Sequence, residues 1–177
     1  MKKVNKVMVI GCPGGGKSTF SRALQGKTGL PLIHLDNLYW REDKTIVEKS
    51  IFLERLSLAL QGEAWIIDGN YLSTMELRLA ACDTVIFLDY PLDICLRGAQ
   101  ERIGKVRDDL PWVERESDGA FLEWIKGYEA NVRPRVMDLL ARYPQKQIVI
   151  FTSRGQADDF LQNLPQKKET GKERGRI

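Results

Sequence analysis

The chain has 177 residues, 43% of them apolar, with 27 Lys and Arg against 24 Asp and Glu. That length and apolar share suit one domain with a sizeable core, and they exclude a wholly disordered chain, a collagen and a disulfide-stapled scaffold. The net charge of +3 is not spread over the body: Pro165 to Ile177 holds five basic and two acidic residues, which accounts for the whole excess.

A body without net charge offers no bulk electrostatic reason to bind nucleic acid. The basic tail over 165–177, read as disordered, is the one segment suited to weak phosphate contacts. No apolar run exceeds four residues, against roughly 20 for a membrane-spanning helix, so the chain reads as cytoplasmic with no membrane partner. Cys12, Cys82 and Cys95 are odd in number and show no C-x-x-C spacing, which suits reduced thiols rather than a metal cluster.

In chain order, Val4 to Ile10 reads as a first strand, short and with Val7 to Ile10 continuously apolar, as expected of a strand covered on both faces. It runs into Gly11-Cys12-Pro13-Gly14-Gly15-Gly16-Lys17-Ser18-Thr19, which fits G-x-x-x-x-G-K-[ST] in full, and then into a helix over Lys17 to Gln25. Successive N–H groups of such a glycine-rich turn face one concavity and hold phosphate oxygens, with the positive end of the helix dipole behind them. Gly11, Gly14, Gly15, Gly16, Ser18 and Thr19 are thereby candidate nucleotide contacts. Lys17 is placed to reach the β- and γ-phosphates, and the Ser18 hydroxyl to meet Mg²⁺. ATP and Mg²⁺ are the expected cofactors; no guanine-reading N/T-K-x-D motif is present.

A second strand over Leu32 to Leu35 leads to Asp36, and a helix over Thr45 to Gln61 follows, with Thr45 and Glu48 spaced as a capping box. The third strand, Trp65 to Asp68, ends in a carboxylate where one near Mg²⁺ is expected. Asp36 is placed to orient or deprotonate an acceptor hydroxyl, to bind substrate, or to cap the turn before Leu38. His34, the single histidine, reads as a packed strand residue. Trp40, Asn70, Tyr71 and Arg78 are acceptor-side candidates, with aromatic faces for a ring and a guanidinium for a phosphate.

The fourth strand spans Thr84 to Leu88, and a helix over Leu92 to Ile103 enters the polar, charged segment Gly104 to Asp118, which reads as a mobile excursion. Arg102 and Arg107 are the preferred catalytic cations there, ahead of Arg97, Arg115, Arg133 and Arg135. Apolar spacing predicts one long helix over Phe121 to Leu140, kinked at Pro134, before a fifth strand at Gln147 to Phe151. Alternating strands and helices predict an α/β domain over 1–164, with ligands outside the carboxyl ends of a parallel sheet.

The pieces GCPGGGKST, LPLIHLDNLYW, WIIDGNY, CDTVIFLDYP with CLRGAQER, and IVIFTSR resemble the adenylate-kinase-like P-loop kinases, and within them the small bacterial DNA topology modulation proteins. The resemblance spans nearly all of 4–163. It implies a three-layer P-loop NTPase fold: a five-stranded parallel sheet in order 2-3-1-4-5, helices on both faces, a helical insertion after the second strand and a small lid over about 104–118. It also implies that Asp68 lies near Mg²⁺ and that Arg154, within Ser153-Arg154-Gly155, lies where the backbone passes the adenine. Two departures are visible. Gly69-Asn70-Tyr71 stands where adenylate kinases carry G-F-P-R, and Trp124 holds the place of an arginine four residues before Tyr128.

The expected activity is ATP-dependent phosphoryl transfer to a small acceptor, a nucleotide or a hydroxylated metabolite. Lys17, Asp68, Arg102 and Arg107 are the catalytic candidates, and Ser18 and Asp68 the metal candidates. An ATP-binding regulatory or DNA-topology-modulating protein and an acceptor-free ATPase are the alternatives. Oligomeric state and acceptor identity are left open by the sequence.

Overall fold

A computed structural model describes residues 4–165; the basic tail expected at 165–177 lies almost wholly outside the described residues. Five strands, β1 (Lys6–Gly11), β2 (Leu32–His34), β3 (Trp65–Asp68), β4 (Thr84–Leu88) and β5 (Gln147–Phe151), form one parallel sheet in order β2-β3-β1-β4-β5. The helices are α1 (Lys17–Thr28), α2 (Leu35–Tyr39), α3 (Lys49–Gln61), α4 (Leu72–Ala81), α5 (Leu92–Glu101), α6 (Gly119–Asn131), α7 (Arg133–Ala141) and α8 (Arg154–Asn163).

Side chains alternate across a strand, so each strand feeds two cores. Val7 and Val9 of β1 pack with Phe20 and Leu24 of α1, Ile125 of α6 and Leu161 of α8. Met8 and Ile10 pack on the opposite face with Leu56 of α3, Met75 and Leu79 of α4, and Val136 of α7. Residues Val7 to Ile10 are wholly buried, which is why the first strand reads as unbroken apolarity rather than alternation.

Three local expectations are corrected. The helix expected from Thr45 begins instead at Lys49. Its proposed capping pair is absent, because the Thr45 hydroxyl donates to Asp43 Oδ1 at 2.6 Å and Ile46 forms a bridge with Trp40. The long helix over Phe121 to Leu140 is two helices separated at Val132, not one kinked rod. Pro134 sits in the first turn of α7, where its missing N–H has no intrahelical acceptor to lose. The second strand ends at His34, and Leu35 already starts α2. Helices α2, α4 and α8 were not anticipated; each is a short segment whose apolar positions are interrupted by turn-forming or polar residues. No described helix is long and apolar enough to cross a membrane.

Candidate active site

The carboxyl ends of β1, β2 and β3 open into a cavity of about 1180 Å³, walled on the far side by the segment between α5 and α6. Gly14, Gly16, Lys17, Ser18 and Thr19 line it; Gly11 and Gly15 do not, and Gly15 N–H donates to Cys12 O at 3.1 Å. Gly14 and Gly16 have φ of 78° and 86°, conformations that other residues rarely adopt, and these set the curl that brings α1 in behind the loop.

Gly14 also packs directly on α5. A Cβ at Gly14 would collide with the Cys95 carbonyl, and one at Gly98 with the Gly14 carbonyl. Gly98 therefore belongs to the phosphate loop's support, and nothing in its sequence surroundings marks it. Arg154 is exposed at the start of α8, with its guanidinium beside Gly98 and outside the cavity lining. Cys12 and Cys95 are buried free thiols, as is Cys82.

Lys17 Nζ donates to Cys12 O at 3.2 Å. Burial lowers its pKa, against the opposing pull of Asp68, Cys12 and Asp36. The ammonium is thus held beside two carboxylates with one carbonyl as its direct partner, a state relieved by any anion that enters.

Asp68 and His34 are cross-strand partners in the β2–β3 register, so their side chains emerge on one face, and His34 Nδ1 lies 2.8 Å from Asp68 Oδ1. Burial lowers the His34 pKa, but the hydrogen bond and charge of Asp68 outweigh it and raise the pKa overall. His34 is thus more than strand packing. The other carboxylate oxygen, Asp68 Oδ2, is buried without a partner, and so is Asn70 Oδ1. Buried acceptors left open at a cavity wall are suited to a ligand, an ion or its water.

Asp36 projects from α2 and accepts a 2.6 Å hydrogen bond from the Tyr71 hydroxyl. Burial raises its pKa, while that bond and Lys17 draw it down, leaving a net rise. Around it stand Tyr39, Trp40, Tyr71 and Trp112. Tyr39 and Tyr71 have ring centroids 4.9 Å apart, and Trp40 and Trp112 meet edge to face at 5.3 Å. Trp40, Asn70 and Tyr71 line the cavity as expected.

Arg78 does not. It is wholly buried in α4, and its guanidinium donates to the carbonyls of Gly69 at 2.8 Å, Asn70 at 3.1 Å and Tyr71 at 2.9 Å. The expected acceptor-phosphate ligand is instead the peg that shapes the loop after β3, because both its terminal nitrogens are turned to these carbonyls and the side chain does not line the cavity. Burial pulls its pKa down to about 10. Arg41 is likewise turned away, donating to Thr45 and Ile46.

The segment expected to be a mobile excursion is tied down at several points. Arg102 Nη2 donates to Glu114 Oε1 at 2.7 Å, and Arg107 Nη1 to Glu114 Oε2 at 3.0 Å. Arg107 also pairs with Asp109. Asp109, 2% exposed, accepts a 2.5 Å hydrogen bond from the Ser18 hydroxyl. Asn37 Nδ2 donates to Asp108 O at 2.8 Å, and the Arg102 guanidinium lies 4.7 Å from the Phe121 ring centre. Burial would raise the Asp109 pKa, but the bonds from Arg107 and Ser18 bring it down to about 2. Of the other arginines, Arg115 and Arg135 line the cavity, whereas Arg133 grips Asp89 with two nitrogens and Arg97 faces Asp93 at the surface.

Among the described residues no group of three or more His, Cys, Asp or Glu is arranged to hold a metal alone. The Ser18 hydroxyl and the open Asp68 Oδ2 fit Mg²⁺ instead as a minority of its ligands, since Mg²⁺ in phosphoryl-transfer sites takes most of its oxygens from phosphates and water.

No protein-family model matches the sequence, nor does any curated protein. Solved structures do match. A shikimate kinase from Acinetobacter baumannii, in complex with shikimate, is 17% identical with a TM-score of 0.61, covering 91% of this chain and 90% of that one. A shikimate kinase from Bacteroides thetaiotaomicron is 20% identical with a TM-score of 0.57, covering 92% and 97%. A sugar kinase from Janibacter sp. is 17% identical with a TM-score of 0.54, covering 90% and 91%. At these identities what is shared is the fold, the five-stranded parallel P-loop arrangement in order β2-β3-β1-β4-β5 that the resemblance implies.

Proposed function

We propose that this protein transfers the γ-phosphoryl group of ATP, with Mg²⁺, to a hydroxyl of a small acceptor. The observation that carries this reading is that a complete phosphate loop and a half-buried carboxylate, Asp36, line the same cavity. A simple nucleotide switch has no use for the aromatic residues Tyr39, Trp40, Tyr71 and Trp112 that share the cavity with the loop.

In this reading the loop N–H groups and Lys17 hold the triphosphate, and Ser18 and Asp68 hold Mg²⁺, whose chemistry is to neutralise charge on the transferring phosphoryl group. Arg102 and Arg107 exchange their carboxylate partners for phosphate oxygens. Asp36 accepts the acceptor's hydroxyl hydrogen, its orientation fixed by Tyr71. Tyr39, Trp40 and Trp112 exclude water and offer faces to a ring, while Arg115 and Arg135 suit an acidic substituent. Arg154, outside the cavity lining, is assigned to the adenine end. The similar structures are kinases of shikimate and of a sugar, small hydroxylated molecules, which supports an acceptor of that kind. The adenylate-kinase-like subtype and the topology-modulation resemblance rest on the quoted motifs, and Gly69-Asn70-Tyr71 in place of G-F-P-R argues against adenosine monophosphate as acceptor. The neutral body and aromatic chamber suit a small molecule better than nucleic acid.

The test is ADP formation by pure protein with MgATP and a panel of hydroxylated acids, sugars and nucleoside monophosphates. Acceptor-dependent ADP release, lost in K17A, is the expected result; ADP release that no acceptor increases would assign an ATPase instead.

A further inference from the structure

The lid carries a carboxylate that the phosphoryl-transfer reading leaves unused. Asp109 lies between Arg107 and the Ser18 hydroxyl, 2% exposed, with Arg22 Nη1 3.9 Å from its Oδ1. When a triphosphate enters, Arg102 and Arg107 turn their donors to phosphate oxygens, and both Glu114 and Asp109 lose partners. The two acids then differ. The Glu114 side chain is 20% exposed and can turn to water, whereas the Asp109 side chain, at 3%, cannot be rehydrated where it lies. Asp109 then keeps only Arg22, 3.9 Å away and 41% exposed, as its cation, a weakly compensated state for a buried carboxylate. A cation seated on the Ser18 hydroxyl, which Asp109 already contacts, would complete that compensation. An independent observation comes from the same cavity: Asp68 Oδ2, on its wall, is buried and without a partner.

Resting on the proposed function, we propose that Asp109 is a lid-borne part of the metal site. The closed lid orients the Ser18 hydroxyl and holds a fixed negative charge beside it. The closed protein therefore accepts the Mg²⁺–triphosphate complex and rejects the bare triphosphate. The lid thus reads whether the nucleotide has brought its metal. Asp109 acts here as a positioning and selecting residue, and the incoming phosphates carry most of the metal's ligands.

The test is calorimetric binding of ATP to the full chain, once with excess Mg²⁺ and once with EDTA. Wild type is expected to favour the Mg²⁺ form by on the order of tenfold or more. In D109N that ratio should collapse towards one, chiefly through tighter binding of metal-free ATP, and D109E should restore it. An unchanged ratio in D109N overturns the proposal. S18A supplies a second reading that leaves Asp109 in place: it should weaken the Mg²⁺ form alone, and equal weakening of both forms counts against a Ser18-centred site. Wild type that binds both forms equally removes the selection but leaves the phosphoryl-transfer reading standing. Wild type that binds neither form removes the reading and the inference together.

Discussion

His34 and Asp68 sit opposite each other at the ends of β2 and β3, and their side chains meet at 2.8 Å, with Asp68 lining the cavity and His34 behind it. The pair fixes one oxygen of the carboxylate and leaves the other free, so the histidine orients Asp68 without occupying its open face.

That pairing predicts a pH signature. The His34 pKa is raised in the fold, so the protonated ring is the form that folding favours. Its contribution is complete below the unfolded value near 6.5 and fades as pH rises through the raised folded value. The stability gap between wild type and H34N in urea unfolding should be wider at about pH 5.5 than at about pH 9. A gap that does not change with pH would falsify the pairing as a charge-assisted one.

Lys17 should separate stability from activity. Its ammonium is buried with a lowered pKa and one carbonyl partner. Replacing it by an apolar side chain removes a poorly compensated charge. K17M is expected to lose ATP turnover by on the order of a thousandfold while its melting temperature holds or rises. A clear fall in melting temperature would assign the lysine a structural role instead.

Tyr71 should tune Asp36. Its hydroxyl draws the carboxyl pKa down against the effect of burial. Y71F therefore leaves that pKa higher, and the acid limb of the kcat/KM profile should move to higher pH. At pH well above the limb most of the activity should return. A uniform loss at every pH would point to packing alone.

The phosphate loop, the five strands and the place of Asp68 were legible in the sequence because each depends on local pattern: glycine spacing, continuous apolar runs and a carboxylate closing a strand. The strand order came only through the family resemblance. Asp36, Trp40 and Tyr71 were legible as candidates through their place after strand ends. Arg78 misled because a charged residue after a strand suggests a ligand, and only the three-dimensional path of the 69–71 backbone reveals three carbonyls waiting for it. Asp109 was hidden among the lid's charges, which look alike until folding buries one of them. The break at Val132 was missed because its apolar spacing continues unbroken from α6 into α7.

The buried peg makes its own prediction. R78M strips the donors from three loop carbonyls, and the expected loss is about 3 kcal/mol of unfolding free energy, read from the urea midpoint. An arginine that bound acceptor phosphate would instead raise KM and leave stability intact.

Gly98 lies on α5, outside the loop motif, yet G98A should weaken ATP binding by about tenfold or more, because the added methyl meets the Gly14 carbonyl. Gly26, inside α1 with open space around it, is the matched control. G26A should leave binding unchanged and stabilise the fold by about 0.5–1 kcal/mol.

The helix that carries Gly98 ends at Glu101, one residue before Arg102, so the backing of the phosphate loop and the root of the lid belong to one rigid rod. A tilt of that rod that lifts the lid also draws support from beneath the phosphates. On the proposed function, departure of the spent nucleotide and uncovering of the acceptor side would then be a single mechanical event, with neither product exchanged while the other is fully held.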